Sequence, residues 1–150
     1  MIRENLKAAQ IEAMKNKDKA RLGAIRMILA KVKDRDIELR TASEQPDDDV
    51  LVTEVLMKMA KQRRESIQMF EDGGRAEKAA EEQAELDVIE DFLPKQMDEG
   101  EMKAAIAQVK TDVGAESIKD MGKVMAELKT RHAGQMDFGK ASGLVKASFG

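Results

Sequence analysis

The chain of 150 residues contains no cysteine, tryptophan or tyrosine, and it has only one histidine, two prolines and four phenylalanines. Without cysteine there is no disulfide scaffold, no zinc finger and no cysteine nucleophile. Aromatic residues make up 3% of the chain, too few for a typical β-sandwich, whereas charged residues make up 37%. This composition is typical of long, charged helices that pack through aliphatic side chains, so we expect an all-α protein.

The sequence also lacks a long apolar run. Its first six residues, MIRENL, mix charges at once and contain no apolar segment like that of a signal peptide. No stretch approaches the roughly 20 apolar residues that span a bilayer. We therefore expect a soluble, cytoplasmic protein without membrane contact.

Apolar residues recur at helical spacing along the whole chain, which predicts helices and no strand. In the second helix, for example, the expected core stripe is Leu22, Ile25, Leu29, Val32 and Leu39. Seven helices are expected, at about 1–16, 19–40, 47–71, 75–93, 98–113, 117–133 and 137–149. Pro94 ends the fourth helix, because the residue before a proline is pushed out of the α conformation. This predicts an N-terminal helical domain of about four helices, residues 1–94, and a C-terminal three-helix domain, residues 95–150.

Three successive aspartates at 47–49 follow Pro46. Carboxylates at this position favour the positive end of a helix dipole, which predicts a helix start with aspartate caps. The alternative, a metal site, lacks the alternating ligands and glycine of a calcium loop. We expect no metal ligand set anywhere in the chain.

The fourth helix is strongly acidic, and the third carries a basic cluster that includes Arg63 and Arg64. If the two helices pack antiparallel, their opposite charges meet. For Arg63 this leaves two interpretations, an ion pair with the fourth helix or a functional contact.

Most of the eleven methionines fall at core spacing. Core filling is the interpretation favoured over a soft metal site or an adaptable groove.

No catalytic motif is present. The sequence has neither the P-loop pattern that cradles phosphates nor the glycine pattern that binds dinucleotides, so no ATP or NAD cofactor is expected. No serine lies in a nucleophile elbow. The single histidine, His132, follows Arg131 near a predicted helix C-terminus. A charged imidazole there interacts favourably with the helix dipole, so we expect His132 to cap the helix. We assign no catalytic residue.

Charge is unevenly distributed, although the formal net charge is only −3. Residues 1–40 hold eleven basic and six acidic side chains, and residues 117–149 hold six basic and three acidic ones. Acidic residues therefore gather in the middle of the chain. Local basic clusters are compatible with nucleic-acid contact even at an acidic pI, although such faces are also simply solvated.

Four ordered segments together resemble the YqeY-like (GatB/YqeY) family. They are KNKDK at 15–19, KQRRESI at 61–67, LPKQ at 93–96 and DMGKVM at 120–125. The resemblance implies a two-part helical protein. Its C-terminal part is similar to the tail domain of the B subunit of the tRNA-dependent amidotransferase, a three-helix unit that helps to hold the body of tRNA.

This resemblance implies a nucleic-acid-binding set in the C-terminal part, consisting of Gly122, Lys123, Lys129, Arg131, Lys140 and Lys146. The cationic members would neutralise phosphates, and Gly122 would let a phosphate backbone or a neighbouring helix approach closely. Helix packing alone is an equal alternative for Gly122. The scarcity of aromatic residues disfavours stacking on single-stranded bases.

The leading hypothesis is therefore a tRNA-associated helical module. Its family is linked by association to carbon–nitrogen ligation with glutamine as amide donor, and the residues leave open whether this chain catalyses anything. The alternative is a non-catalytic adaptor whose N-terminal helices dock a protein of the translation apparatus.

Overall fold

The structure is a computed structural model that describes residues 1–150, and the chain is all-α. The seven helices are α1 (Ile2–Lys15), α2 (Lys19–Glu38), α3 (Asp48–Asp72), α4 (Ala76–Asp91), α5 (Glu99–Val113), α6 (Met121–Arg131) and α7 (Phe138–Ser148). Short 3₁₀ turns at Leu39–Thr41 and Ile118–Asp120 follow α2 and precede α6. None of the helices is both long and apolar enough to cross a bilayer. The predicted fold class and helix order are confirmed.

Internal contacts divide the chain into two compact units, an N-terminal unit (Met1–Leu93) and a C-terminal unit (Pro94–Gly150). Each unit has its own aliphatic core. The N-terminal core includes the fully buried Leu6, Ile28 and Leu56, and the C-terminal core includes Ile106 and Leu128. No polar or charged side chain is buried in either core. Burial of aliphatic surface is therefore the main stabilising contribution to both units.

The apolar stripe predicted for α2 faces the core. Ile25 and Val32 are buried, and Leu22, Leu29 and Leu39 are half-buried and pack against the core. Ile28, which was not on the predicted stripe, is buried as well. The reason is that α2 contacts α1, α3 and α4, so its apolar surface is wider than a single stripe. Seven of the eleven methionines lie in or against a core, as expected. Four are exposed instead: Met1, Met14, Met27 and Met69.

The α3–α4 hairpin is the most extensive helix–helix contact in the chain. Arg63 is 21% exposed and pairs with Glu82 and Glu85, each at 3.0 Å, while Arg64 pairs with Glu90 at 3.1 Å. The charge match predicted between these helices is confirmed. For Arg63 the ion-pair interpretation is the right one, because both sides of its guanidinium face carboxylates of α4.

The expectation for residues 47–49 is half right. Helix α3 begins there, but Asp47 makes no side-chain cap, and the other two carboxylates reach to α1. Asp48 accepts a hydrogen bond from the Arg3 guanidinium at 2.7 Å, and Asp49 accepts one from the Ile2 backbone N–H at 3.0 Å. A guanidinium is a stronger donor than the α3 backbone, which explains why Asp48 points away from its own helix. No group of three or more possible metal ligands occurs in the chain.

Arg3 thus joins the starts of α1 and α3 to the end of α2. Besides Asp48 it binds Asp36 through two parallel bonds of 2.9 and 3.0 Å, and its side chain is 22% exposed. The Arg3 guanidinium lowers the pKa of Asp36, and the two carboxylates raise the pKa of Arg3. Asp36 lies four residues after Val32, on the apolar side of α2. The ion pair with Arg3 explains why a carboxylate occurs there.

The C-terminal helices begin at the aspartates that the sequence indicates. Asp98 accepts from the Glu101 N–H at 2.7 Å, and Asp137 accepts from the Gly139 N–H at 2.9 Å. Asp120 accepts from the backbone N–H groups of Glu116 and Ser117 at 3.0 and 3.4 Å. The bonds of Asp98 and Asp137 satisfy backbone donors that the starts of α5 and α7 would otherwise leave unpaired. Those of Asp120 belong to a capping box with Ser117 around the 3₁₀ turn, and α6 itself has no side-chain cap.

The Arg3–Asp36 pair predicts a pH dependence of stability. Because the pKa of Asp36 is lowered in the folded chain, this group stabilises the fold above its unfolded pKa of about 4, and the contribution is lost as pH falls. We expect Asp36→Asn to be less stable than wild type at pH 7 and to lose less further stability between pH 7 and pH 3. Urea unfolding at a series of pH values measures this. Parallel stability curves for the two proteins would contradict it.

The cap at α7 gives a second prediction. Asp137→Ala removes the only side-chain acceptor at this helix start and should cost about 0.5–2 kcal/mol of unfolding free energy. Asp137→Asn retains an acceptor and should stay near wild type. Urea unfolding followed by far-UV circular dichroism compares the variants, and an equal loss for both would mean that charge rather than capping matters.

Candidate nucleic-acid interface

The six residues predicted to bind nucleic acid all lie on α6, on α7 or at their ends, within one unit. The α6–α7 connection is held by the start of the unit. Gln96 donates from its side-chain amide to the Gly134 carbonyl at 2.7 Å, and the Met97 N–H donates to the Gln135 carbonyl at 2.8 Å. The LPKQ segment therefore positions the two helices that carry the candidate site.

Five lysines on this part of the chain are exposed and take part in no ion pair. They are Lys119, Lys123, Lys129, Lys140 and Lys146. Lys119 was not among the predicted binding residues, although it lies in the same basic segment. Counting the charged residues of this segment in the sequence would have been enough to include Lys119 in the predicted set.

The acidic residues of the same segment are all engaged elsewhere. Asp120 and Asp137 accept backbone hydrogen bonds at helix starts, and Glu127 accepts from Arg131 at 2.7 Å. Backbone N–H donors lower the pKa of Asp120. Of the three carboxylates only Glu127 is in an ion pair, while Asp120 and Asp137 keep their charge, and Lys123 also helps to lower the pKa of Asp120. With six basic and three acidic side chains, the segment still presents a net positive charge to solvent.

Arg131 differs from the lysines. Its guanidinium lies between Asp112 of α5 and Glu127 of its own helix, with both N–O distances at 2.7 Å. Asp112 raises the pKa of Arg131, and Arg131 in turn lowers the pKa of Asp112. Arg131 therefore joins α5 to α6, and its charge is balanced within the unit.

Gly122 lies in the first turn of α6 and faces open space. A Cβ at this position would meet no atom within 4 Å. The alternative that Gly122 serves helix packing is therefore wrong within this chain. Any close approach that Gly122 permits must involve a molecule other than the chain itself.

The lysines do not share one helix face. Lys123 and Lys129 are six residues apart, as are Lys140 and Lys146, which places each pair about 120° apart around its helix. Lys129 lies toward α7, with its Nζ 6.0 Å from the centre of the Phe138 ring. Gly122 and Lys129 are seven residues apart and do share a side of α6. The positive charge thus wraps around the helix pair.

The histidine, the two phenylalanines and Lys110 of this unit make contacts within it. His132 ends α6, and its Nδ1 lies 3.1 Å from the Gln135 side-chain oxygen. Phe138 and Phe149 pack against the core of the unit and are only partly exposed. Lys110 lies over the Phe149 ring at 4.1 Å and donates to the Ser148 carbonyl, so it is used within the unit. Neither aromatic ring of this unit is fully exposed.

Comparison with known proteins agrees with the resemblance noted in the sequence. The family model described as "Yqey-like protein" matches residues 3–149. A curated relative, "Altered inheritance of mitochondria protein 41, mitochondrial" of Eremothecium gossypii, is 33% identical over 89 residues, which is 59% of this chain and 47% of the relative. The match thus spans about half the length of that relative, whose name places it in mitochondria. Since the family model covers nearly the whole chain, this protein belongs to the YqeY-like family.

Proposed function

We propose that the protein is a tRNA-associated helical module whose C-terminal unit binds the phosphate backbone of folded tRNA. One observation carries the proposal. On the segment from Lys119 to Lys146, five lysines are exposed and unpaired, while every carboxylate is engaged in a cap or an ion pair. The choice of tRNA as the partner rests on the sequence-based expectation that the C-terminal part resembles the tail domain of the amidotransferase B subunit.

Lysines in this state are suited to phosphate. An ammonium group is a compact charge on a flexible stem, and it needs no carboxylate to be displaced before it contacts a phosphate. Each contact releases condensed counterions from the RNA, which provides a favourable, salt-dependent free energy. Arg131 is less suited, because a phosphate would have to compete with two carboxylates at 2.7 Å. We therefore assign phosphate contact to the lysines and a bracing role to Arg131.

The mode of recognition follows from what the surface offers. Phe138 and Phe149 are packed against the core, so bases have no aromatic platform on which to stack. Lysines placed around two helices can follow the curved backbone of a folded RNA. This arrangement favours recognition of shape and phosphate over reading of base sequence.

The adaptor alternative has weaker support. The exposed apolar side chains of the N-terminal unit are spread over three helices: Met1, Ile11 and Met14 at α1, Met27 and Ile37 on α2, and Val50 and Met69 on α3. Single exposed apolar residues are ordinary on a protein surface.

The proposal predicts a steep salt dependence of tRNA binding. For each phosphate contact, log K should fall by about 0.7–0.9 per log unit of salt. Lys123→Ala combined with Lys129→Ala should therefore reduce the steepness by about 1.4–1.8 if both residues contact phosphate. Fluorescence anisotropy with labelled tRNA over a salt series measures the slope.

Arg131→Ala is the matched control, since it also removes a positive charge from α6. Its charge is already balanced by Asp112 and Glu127, so the salt slope should stay near that of wild type. The assignment is wrong if Arg131→Ala flattens the slope as much as the double lysine variant does. The whole proposal fails if the wild type does not bind tRNA even at low salt.

Gly122 provides a third test in which fold and binding respond differently. Gly122→Ala finds free space and gains helix propensity, so stability should be unchanged or higher by up to about 1 kcal/mol. If a phosphate backbone approaches this turn of α6, the added methyl group should nevertheless weaken tRNA binding. Unfolding and anisotropy measurements on the same preparation separate the two effects. Unchanged affinity would remove Gly122 from the interface.

A further inference from the structure

The turn between α1 and α2 contains the one non-glycine residue with positive φ, Lys17 at +57°. The Asp18 N–H donates to the Ala13 carbonyl at 3.0 Å, and the Lys17 N–H donates to the Met14 carbonyl at 3.2 Å. These two bonds define a Schellman motif in which Lys17 occupies the left-handed position. That position normally holds glycine, because a Cβ is unfavourable there.

The chain uses the same motif at two other helix ends, and there it does use glycine. After α3 the left-handed residue is Gly74 at φ +71°, with bonds from Arg75 to Phe70 and from Gly74 to Glu71. After α5 it is Gly114 at φ +67°, again with both bonds. The backbone requirement is thus the same at all three ends. Only the α1–α2 turn places a long cationic side chain in the unfavourable conformation.

No contact within the chain compensates Lys17 for this conformation. The side chain is exposed and makes neither an ion pair nor a hydrogen bond. Lys15 and Lys19, two residues away on either side, are likewise exposed and unpaired. The only carboxylate of the turn belongs to Asp18, which caps α2 by accepting from the Arg21 N–H at 3.1 Å. Three free cations therefore lie within five residues.

We propose that this lysine turn, Lys15–Lys17–Lys19, is a second phosphate-binding surface for the same RNA, with Lys17 as its central contact. The inference rests on the proposed function, because it takes tRNA as the partner. A residue retained in an unfavourable conformation without internal contacts indicates a use outside the fold. Three exposed, unpaired ammonium groups make this turn locally positive, and each can neutralise one phosphate charge.

A nucleic acid fits this surface better than a membrane does. Peripheral membrane binding by a helix needs a continuous apolar face beside the basic residues. Beside this turn only Ile11 and Met14 are exposed, at 55% and 53%, and the same stretch of α1 carries Glu12 on its surface. Ile11 and Met14 are three residues apart and share one side of α1, but two apolar side chains are too few to form such a face.

The test uses the full chain with Lys17→Gly, a change that should raise thermal stability and lower tRNA affinity. Glycine relieves the left-handed conformation, so the melting temperature should rise by about 2–4 °C. Loss of one phosphate contact should weaken tRNA binding at low salt about 3–10-fold and reduce the salt slope by about 0.7–0.9. A more stable variant with weaker binding cannot be explained by misfolding.

Two further variants act as controls. Lys17→Arg keeps the charge and the unfavourable conformation, so its tRNA affinity should remain within about 2-fold of wild type. Lys7→Ala removes an exposed, unpaired lysine from the body of α1 and should also stay within about 2-fold.

The outcomes separate this inference from the proposed function. If wild type binds tRNA, the Lys123/Lys129 variant flattens the slope and Lys17→Gly binds like wild type, only the lysine turn is overturned. If wild type does not bind tRNA, both fail.

Binding to vesicles of phosphatidylserine and phosphatidylcholine tests the membrane alternative. Binding of wild type to these vesicles that Lys17→Gly abolishes, with tRNA binding unchanged, would assign the turn to a membrane and overturn the inference.

Discussion

Among the basic side chains of this protein, only arginines make ion pairs between helices. Arg3 joins α1 to α2 and α3, Arg21 joins α2 to α4, and Arg131 joins α6 to α5. Arg63 and Arg64 join α3 to α4 in the same way. The two ion-paired lysines, Lys78 and Lys103, contact only carboxylates one turn away on their own helices. The physical reason is that a planar guanidinium can hold two carboxylates in fixed geometry, whereas an ammonium group cannot. Because arginines make the ion pairs between helices, most lysines have no ion-pair partner and are available for contact with other molecules.

The fold could be predicted from the sequence to a large extent, because helical periodicity and capping residues are local signals. Gly114, Asp98 and Asp137 mark helix ends where the structure has them. What failed depends on distant partners. The burial of Ile28 requires knowing that three helices surround α2, and the path of Asp48 requires knowing that Arg3 lies beside it, 45 residues earlier.

The candidate site was harder to predict, because charge counting does not show which charges are already paired. Arg131 and Lys129 look equivalent in the sequence, yet Arg131 faces Asp112, which lies 19 residues away. Gly122 could have served helix packing, and only the free space around it shows that it does not. Lys17 was visible only as part of a family segment. Only the structure shows that Lys17 has a positive φ, and no local sequence pattern predicted this for a lysine.

The formal net charge of −3 is only a weak argument against the proposed tRNA binding. The N-terminal unit holds 17 basic and 21 acidic residues, and the C-terminal unit holds nine and eight. At physiological salt the Debye length is about 8 Å, so the acidic face of α4 is screened from phosphates that contact lysines farther away than that. Attraction is then decided by the charges within one or two side-chain lengths of each phosphate. Within that range an unpaired lysine counts fully and an arginine between two carboxylates counts little, which is why the state of pairing, rather than net charge, determines where this protein could bind RNA.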